Sequence, residues 1–372
     1  MCRIWLVSLF LTVLSWSATA KTGAIQVLMI SPSYKTDPFF SQVDEVARYA
    51  AESLGFELTL LHGDGNRLIQ KQILQNYLKE RKPDYLILQA YPGTGQELFE
   101  YLHRQQIPTI TLEHILLDKE QPIVGRPGEK YPFWIGEIYH DNQQAGKLLM
   151  QGLLAHCRPA AGSGLNEVIG INGAYGFESD QRAAGAAAAI HDDTRFKLQQ
   201  IVHANWVRDV AYTQTLQLLR RYPQSRVIWS ASDWMALGAL EALQSQQLVP
   251  ANFCVGGFDW IPAAIEKIRD GELTASVGGH FLMAAWAMVA IYDHQQGKLP
   301  AGLLSSKPAF SLELLTKENL DSYEPLLHLE SWRQLDFRQF SFSANPTQQH
   351  YPFSLQRAIQ IKSGNPAKPS AQ

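Results

Sequence analysis

Short apolar runs alternate with amphipathic segments along most of the chain. The run IQVLMIS (residues 25–31) predicts a strand, and apolar positions three and four residues apart from Phe40 to Leu54 predict a helix that Gly55 closes. Further strands are predicted at FELTLL, DYLILQA and PTITLE, with helices at Arg67–Lys79 and Gly95–Gln105 between them. Strands that alternate with helices form a parallel sheet wound on both faces. This part of the chain therefore predicts one open α/β unit.

The pattern breaks once and then resumes on the same plan. The segment Leu116–Tyr131 is charged and contains prolines and glycines, which predicts a loop. Strands are then predicted at FWIGEIY, VIGING, FKLQQIV, RVIWSAS, NFCVGGFD and LTASVGG. Helices are predicted at Asp141–His156, after Asp180, at Val210–Arg221, MALGALEALQSQ, Pro262–Asp270 and Phe281–Tyr292. We predict an α/β protein with two doubly wound parallel-sheet lobes and a ligand cleft between them.

The N-terminal residues do not follow this pattern. Arg3 precedes an apolar stretch from Ile4 to about Trp16, and the small-residue sequence ATA follows. This order is typical of a secretory signal peptide, whereas a membrane anchor needs about 20 apolar residues. We expect residues 1–20 to be removed and the mature protein to be soluble in the periplasm.

Composition narrows the function classes. The 372 residues are 46% hydrophobic and 18% charged, with a net charge of -3, which argues against a nucleic-acid surface. Cys157 and Cys254 remain after signal removal, and an oxidising compartment permits a disulfide. Cys254, however, lies in an apolar run typical of a buried thiol, and Cys157 ends a helical pattern. The sequence therefore favours leaving the two cysteines unpaired.

The residues just after each predicted strand are candidates for ligand binding, because ligands in open α/β sheets bind at the carboxyl ends of the strands. These candidates are Asp37, Phe39, Phe40, Glu113, His114, His140, Arg182, Trp206, Ser232 and Asp259. Asp37 and Pro38 suit a helix start, which leaves the two phenylalanines without a role in the turn. Histidines near the carboxyl ends of the strands suggest a metal site, but no His/Cys pair has i, i+4 or C-x-x-C spacing. We expect no metal and no cofactor.

Six motifs follow one another along the chain, and together they are specific for one protein family. They are DPFF after the first strand, PTITLE (108–113), HDNQQAG (140–146), RAAG (182–185), SDWMALGALEAL (232–243) and VGGFDWIP (255–262). With these motifs, residues 24–300 resemble the periplasmic sugar-binding proteins of the ribose-binding type and, more distantly, the autoinducer-2-binding receptors.

The resemblance implies a two-lobed fold whose lobes rotate about a hinge. The chain would cross between the lobes near His140, Gly279 and Lys307. The first lobe would comprise residues 21–140 and 280–307, and the second would comprise residues 141–279 and 308–330. Residues 331–372 would form a C-terminal extension.

The resemblance also implies that aromatic side chains stack on the two faces of a sugar ring. Phe39 and Phe40 would cover one face from the first lobe, and Trp206 would cover the other from the second lobe. The faces of a sugar ring are apolar because its hydroxyls lie around the edge. The alternative for either phenylalanine is packing in the core.

Charged side chains would bind the ring hydroxyls. Glu113 and Asp259 would accept hydrogen bonds, and Arg182 would donate them. Each has an alternative: Asp259 caps the helix that begins at Pro262, Arg182 pairs with Asp180 on the surface, and Glu113 faces the following loop.

Departures from the ribose-binding pattern argue against ribose as the ligand. They are Glu113-His114 in place of Asp-Arg, His140 in place of a small hydroxyl residue, Ser232 in place of an amide, and Gly279 in place of a glutamine, beside His280. We expect a different monosaccharide.

The expected function is binding rather than catalysis. Glu113, His114 and His140 could form an acid/base cluster, but no G-x-S-x-G elbow, Walker loop or metal-ligand spacing accompanies them. We expect a monomer that delivers its ligand to an inner-membrane ABC permease. The alternative is a sensor subunit for autoinducer-2 or a sugar signal that acts on a membrane histidine kinase or diguanylate cyclase. The tail, Thr316–Gln372, would either pack simply, wrap the second lobe or contact such a sensor.

Overall fold

The computed structural model describes residues 23–113, 116–117, 119–157, 166–305 and 307–364. The predicted signal peptide lies outside these residues. Two separate sheets with helices on both faces organise the chain, and the predicted two-lobed α/β fold is confirmed. None of the described helices is long and apolar enough to cross a lipid bilayer.

The first lobe is built on a parallel sheet with the strand order β2-β1-β3-β4-β5. Its strands are β1 (Ile25–Ser31), β2 (Phe56–His62), β3 (Tyr85–Leu88), β4 (Thr109–Leu112) and β5 (Trp134–Ile138). The connecting helices are α1 (Phe40–Leu54), α2 (Arg67–Glu80), α3 (Gly95–Gln105) and the short α4 (Gln121–Val124). The segment predicted as a loop after β4 therefore contains one helical turn.

The second lobe is built on a sheet with the strand order β11-β10-β9-β8-β6-β7. Its strands are β6 (Asn166–Asn172), β7 (Phe196–His203), β8 (Ser225–Ser230), β9 (Cys254–Phe258), β10 (Ala275–Gly278) and β11 (Glu313–Thr316). Its helices are α5 (Asn142–His156), α6 (Phe177–His191), α7 (Arg208–Arg221), α8 (Asp233–Ser245) and α9 (Pro262–Asp270). Strand β11 was not predicted, and it runs antiparallel to β10 in an otherwise parallel sheet.

The chain crosses between the lobes three times, and we call these crossings the hinge. They lie between β5 and α5, between β10 and α10 (Met283–Gln295), and between α10 and β11. Helix α10 packs on α1 in the first lobe and is buried almost throughout, which explains its unbroken apolar run MAAWAMVAI. Gly279, at the second crossing, has a φ of 114° that favours glycine.

The C-terminal residues pack on both lobes and not on the second lobe alone. They form α11 (Leu320–Leu327), the 3-10 segments Leu329–Gln334 and Phe337–Phe340, and α12 (Leu355–Lys362). The backbone N–H of Phe337 donates to Ser53 Oγ on α1 at 3.0 Å. On the other side, Gln356 Nε2 donates at 3.2 Å to the hydroxyl of Tyr323, whose ring lies 5.0 Å from that of Trp260 in the second lobe.

Cys157 and Cys254 form a disulfide, with their Cα atoms 5.8 Å apart. The prediction that they stay unpaired was wrong. The end of α5 and the start of β9 lie side by side, and Leu149 and Leu153 of α5 pack against Gly256 of β9. This contact depends on how the lobe folds, because the two cysteines are 97 residues apart in the sequence.

Candidate functional site: a cleft between the two lobes

The two lobes meet at the carboxyl ends of their strands, where several charged side chains are deeply buried. Glu113, Arg182 and Asp259 are 6%, 5% and 5% exposed. Charged residues are rarely buried to this degree without partners or a function. His140 and Ser232 are also buried, whereas Asp37, Phe39 and Phe40 are half-buried and Trp206 remains 36% exposed. His114 lies outside the described residues.

The turn after β1 is organised by the Asp37 side chain. Asp37 Oδ1 accepts hydrogen bonds from the backbone N–H groups of Phe39 and Phe40, each at 2.9 Å, and thus fixes the start of α1. The two phenylalanine rings meet edge to face with their centroids 5.0 Å apart. The Phe39 ring also lies 4.4 Å from the ring of His280 at the hinge. The turn therefore places one aromatic ring beside the hinge.

Arg182 lies inside the second lobe and not on its surface, so the alternative pairing with Asp180 is wrong. Its Nε donates to Asn142 Oδ1 and its Nη1 donates to the carbonyl of Ala231, both at 2.9 Å. Its guanidinium also lies 4.7 Å from the ring centroid of Phe258. Sequence analysis missed Asn142, although it belongs to the HDNQQAG motif.

Asp259 does not cap the following helix. The residue before α9 is Ile261, and no side chain caps that helix. Asp259 Oδ1 instead lies 3.1 Å from His280 Nε2. The backbone of Asp259 has a φ of 113°, an uncommon value for a residue with a side chain. The capping alternative is therefore wrong, and the strained backbone directs the carboxylate toward the hinge.

Asp233 holds this strained loop in place, and sequence analysis did not select it. Its Oδ2 accepts from the N–H of Ile261 at 3.1 Å, and its Oδ1 accepts from Ser276 Oγ at 2.8 Å. The neighbouring Ser232 Oγ accepts from the N–H of Met235 at 3.2 Å and begins α8. The SDW motif thus supplies a helix cap and a loop anchor. The signal was an acidic residue directly after an apolar strand.

Trp206 faces the same cleft from the second lobe. Its backbone has a φ of 64°, and its indole ring lies against Gly173, where any Cβ would collide with it. The guanidinium of Arg182 lies 5.9 Å from its ring centroid. Close approach of the indole to the backbone at Gly173 therefore holds the tryptophan in the cleft, where part of the ring is accessible.

A direct hydrogen bond joins the two lobes across the cleft. Gln89, which follows β3, donates through Nε2 to Glu178 Oε1 in the first turn of α6 at 3.0 Å. Sequence analysis missed both residues. An acidic residue in the first turn of a helix is common for reasons of helix electrostatics, so Glu178 gave no distinct signal. The bond shows that the lobes are drawn together in this conformation.

Burial shifts the pKa values of the cleft residues in the directions that favour their uncharged forms. Burial raises the pKa of Glu113 to about 8; the nearby carboxylate of Glu178 adds to the shift, and Arg182 opposes it. Burial, and after it the charge of Asp233, raises the pKa of Asp259 well above its usual value. Burial and then Arg182 lower the pKa of His140 to about 3. The cleft therefore holds a dense set of hydrogen-bonding groups with little net charge.

The described part of the chain contains no group of three or more His, Cys, Asp or Glu side chains arranged to hold a metal ion. The cleft residues instead combine carboxyl groups, one guanidinium and partly accessible aromatic rings from opposite lobes. Such groups can bind hydroxyls around the edge of a ring and apolar C–H groups on its faces.

Comparison with known proteins gives a consistent result. The model of the periplasmic binding protein domain matches residues 27–299. The ribose import binding protein RbsB of Salmonella typhimurium is 25% identical over 264 residues, which cover 71% of this chain and 82% of that protein. The D-allose-binding periplasmic protein of Escherichia coli is 32% identical over 112 residues, or 30% of this chain and 36% of that protein.

A solved structure is similar over a larger share of the chain. A periplasmic sugar-binding protein from Pseudomonas fluorescens superimposes with a TM-score of 0.79 and 27% identity, covering 90% of this chain and 99% of that one. A solute-binding protein from Actinobacillus succinogenes was solved with bound D-allose and has a TM-score of 0.69 at 21% identity. The similarity covers 80% of this chain and 100% of that one. At that identity, the second similarity shows the fold alone.

Proposed function

Because the chain belongs to the family of periplasmic binding protein domains, we propose that it is an exported protein that closes on a monosaccharide and delivers it to an ABC importer. Members of this family are solute-binding proteins and not enzymes. The names of its relatives, which include ribose import and D-allose binding proteins, support a sugar ligand.

One observation carries the proposal: both lobes bury hydrogen-bonding side chains at a single cleft between aromatic rings. Glu113 from the first lobe and Arg182 and Asp259 from the second are almost fully buried there. Phe39 and Trp206 contribute aromatic surface from opposite lobes. A ligand that touches both lobes binds the closed form better than the open one, and so shifts the population toward closure.

Each predicted residue then has a distinct part. Glu113 and Asp259 accept from ligand hydroxyls, and Arg182 donates through the N–H groups that Asn142 and Ala231 leave free. Phe39, Phe40 and Trp206 cover the faces of the ring. His140 offers a ring nitrogen to the ligand, and Ser232 offers a hydroxyl proton. Asp37 acts through the turn that it caps. His114 stays a predicted contact.

Closure makes the bond between Gln89 and Glu178, and opening about the hinge breaks it. The lobe boundaries predicted from the sequence, residues 21–140 with 280–307 and residues 141–279 with 308–330, define the bodies that rotate. An importer then recognises the closed form.

The test is thermal unfolding of residues 21–372 in the presence of pentoses, hexoses, polyols and autoinducer-2. A ligand at one hundred times its dissociation constant adds about 2.7 kcal/mol to the free energy of unfolding, which raises Tm by several degrees. We expect one or a few monosaccharides to raise Tm. A response to autoinducer-2 alone, or to none of these compounds, would contradict the proposal.

A further inference from the structure

Three buried polar atoms lie together where the first lobe meets the hinge. Glu113 Oε2, His140 Nδ1 and His280 Nδ1 have no hydrogen-bond partner among the residues that the structure describes, and their residues are only 6%, 2% and 1% exposed. The first two atoms are 3.8 Å apart, and the two imidazole centroids are 5.1 Å apart. An unpaired buried polar atom costs about 1–3 kcal/mol. We therefore expect a ligand to supply the missing partners.

The hydrogen bonds of His140 fix which of its two ring nitrogens is the acceptor. Arg182 Nε can only donate, so the Asn142 atom that it contacts at 2.9 Å is the amide oxygen. The same oxygen lies 3.0 Å from His140 Nε2, which must therefore carry a proton. His280 Nε2 lies 3.1 Å from Asp259 Oδ1 and donates to it when Asp259 is ionised. Nδ1 of neutral His140 is therefore an acceptor, and Nδ1 of His280 is an acceptor in the tautomer that donates to ionised Asp259.

Both imidazoles are neutral in this environment. Burial lowers the pKa of both rings; Arg182 lowers that of His140 further, and that of His280 is lowered next by His140 and then by Arg182. Neither ring therefore supplies a proton to Glu113. A cationic group with several donors would favour ionised Glu113 and could then donate to all three residues.

Buried carboxyl groups outnumber guanidinium groups among the described cleft residues. Glu113, Glu178 and Asp259 are carboxylic acids, and each has a pKa that burial raises and the charge of Arg182 lowers. The guanidinium of Arg182 already donates to Asn142 and Ala231. A ligand that brings a positive charge would stabilise these carboxylates in their ionised form.

From this arrangement we propose that the ligand is an amino sugar whose protonated amine lies between Glu113 and His140. The inference rests on the proposed sugar-binding function. An ammonium has three donors and no acceptor, whereas a hydroxyl has a single donor and adds acceptors of its own. One ammonium can therefore serve Glu113 and both histidines and pair with a buried carboxylate. The Phe39 ring beside His280 adds an aromatic face that attracts a cation.

The test compares three forms of each of three sugars by titration calorimetry at pH 7. The probes are glucosamine, galactosamine and mannosamine, their parent hexoses, which have a neutral hydroxyl of similar size in place of the amine, and their N-acetyl derivatives, which lose the charge and add an acetyl group. We expect at least one amine to bind about 10–100-fold more tightly than its parent and its N-acetyl form, as charge-assisted hydrogen bonds predict. Equal or tighter binding of the neutral forms would overturn this inference and leave sugar binding intact. Binding of none of these probes, with no shift in Tm for any sugar, would overturn both.

The variant Glu113→Gln identifies the group that recognises the amine. It keeps the shape of the side chain and removes the charge, so affinity for the amine should fall about 10–100-fold and the preference over the parent hexose should largely disappear. Glu97→Gln, on the exposed face of α3, is the matched control and should keep wild-type affinity. Unchanged amine affinity in Glu113→Gln would contradict the proposal.

A second variant guards against a folding defect in the first. His140→Gln keeps a donor where His140 Nε2 meets Asn142 and removes the Nδ1 acceptor. We expect it to retain Tm within a few degrees and to lose the same preference for the amine. Full retention of that preference would place the amine elsewhere and overturn the assignment.

Discussion

The cleft and the C-terminal extension bury different kinds of side chain. The cleft buries carboxylates, imidazoles and a guanidinium, and several of their polar atoms lack partners among the described residues. The extension buries aromatic rings, which we call the extension core: Trp286 of α10 with Trp332, Phe337, Phe340 and Phe353. In that core, Phe353 stacks on Trp286 with the ring centroids 4.6 Å apart and an interplanar angle of 10°.

The difference separates stability from binding. Burial of large apolar rings contributes free energy of folding, because apolar surface leaves water and packs densely. Burial of unpaired polar groups costs free energy of folding, and a ligand that pairs them recovers it. We therefore expect substitutions in the extension core to change stability with little effect on affinity. Substitutions in the cleft should have the reverse effect.

The largest effect on stability is expected from Trp286→Ala. The side chain is 1% exposed and contacts three aromatic residues of the extension, so truncation should lower the free energy of unfolding by about 3–5 kcal/mol. Denaturant unfolding measures the loss, and calorimetry with the same ligand should give an unchanged affinity. Trp234→Ala, on the partly exposed face of α8, is the control and should cost less. A Trp286→Ala protein with wild-type stability and weakened binding would contradict the expectation that the extension core affects stability and not affinity.

A smaller effect is expected from the pH dependence of the ligand-free cleft. Glu113 has a pKa raised from 4.5 to about 8, so the native state holds its proton more tightly than the unfolded chain does. Its contribution to stability is full below pH 4.5 and is lost as the pH rises toward about 8. Each unit of pKa shift corresponds to about 1.4 kcal/mol, so the total should be a few kcal/mol at most.

The variant Glu113→Gln isolates this contribution. Its free energy of unfolding should decline less than that of the wild type between pH 5 and pH 8, whereas the exposed Glu97→Gln should follow the wild-type curve. Parallel curves for wild type and Glu113→Gln would mean that the carboxyl is not desolvated in the native state.

The smallest effect is expected at Gly279, where the cleft and the extension meet. Its φ of 114° disfavours any side chain, and a Cβ would lie 3.1 Å from Leu355 Cδ1 of α12. Gly279→Ala should therefore cost about 1–3 kcal/mol and weaken ligand binding by changing the hinge. Gly297→Ala, at a φ of 67° with open space around it, is the control for backbone strain alone. Equal losses of unfolding free energy in the two variants, with unchanged affinity, would mean that contact with the extension at Gly279 does not affect the hinge.

The elements of the fold could be predicted because the local pattern determines them. The apolar run at 25–31 and the helix Phe40–Leu54 have the predicted bounds, and Gly55 ends that helix in the left-handed conformation. The extension was harder to predict: Trp332 and Phe337 lie among basic residues, and only contact with α1 and α10 reveals why they are aromatic.

The cleft could be predicted in part, residue by residue. Asp259 stands out as a carboxylate directly after an apolar strand, and Arg182 begins the RAAG motif, so both were selected from the sequence. The contact of Asn142 with Arg182 and the Gln89–Glu178 bond depend on how helices and lobes meet in space, so the motif that contains Asn142 did not reveal its role. The same limit explains the missed Cys157–Cys254 disulfide, which joins elements 97 residues apart.

The most direct test of the account is a calorimetric titration of one sugar, the best stabiliser from the thermal panel, into Asp259→Asn and Phe337→Ala. Asparagine keeps the acceptor that meets His280 and removes the charge, whereas Phe337→Ala opens the extension core. The account predicts that Asp259→Asn binds about 10–100-fold more weakly with a nearly wild-type Tm. It predicts that Phe337→Ala lowers Tm and keeps the wild-type affinity. Unchanged affinity in Asp259→Asn, together with weakened binding in Phe337→Ala, would contradict it.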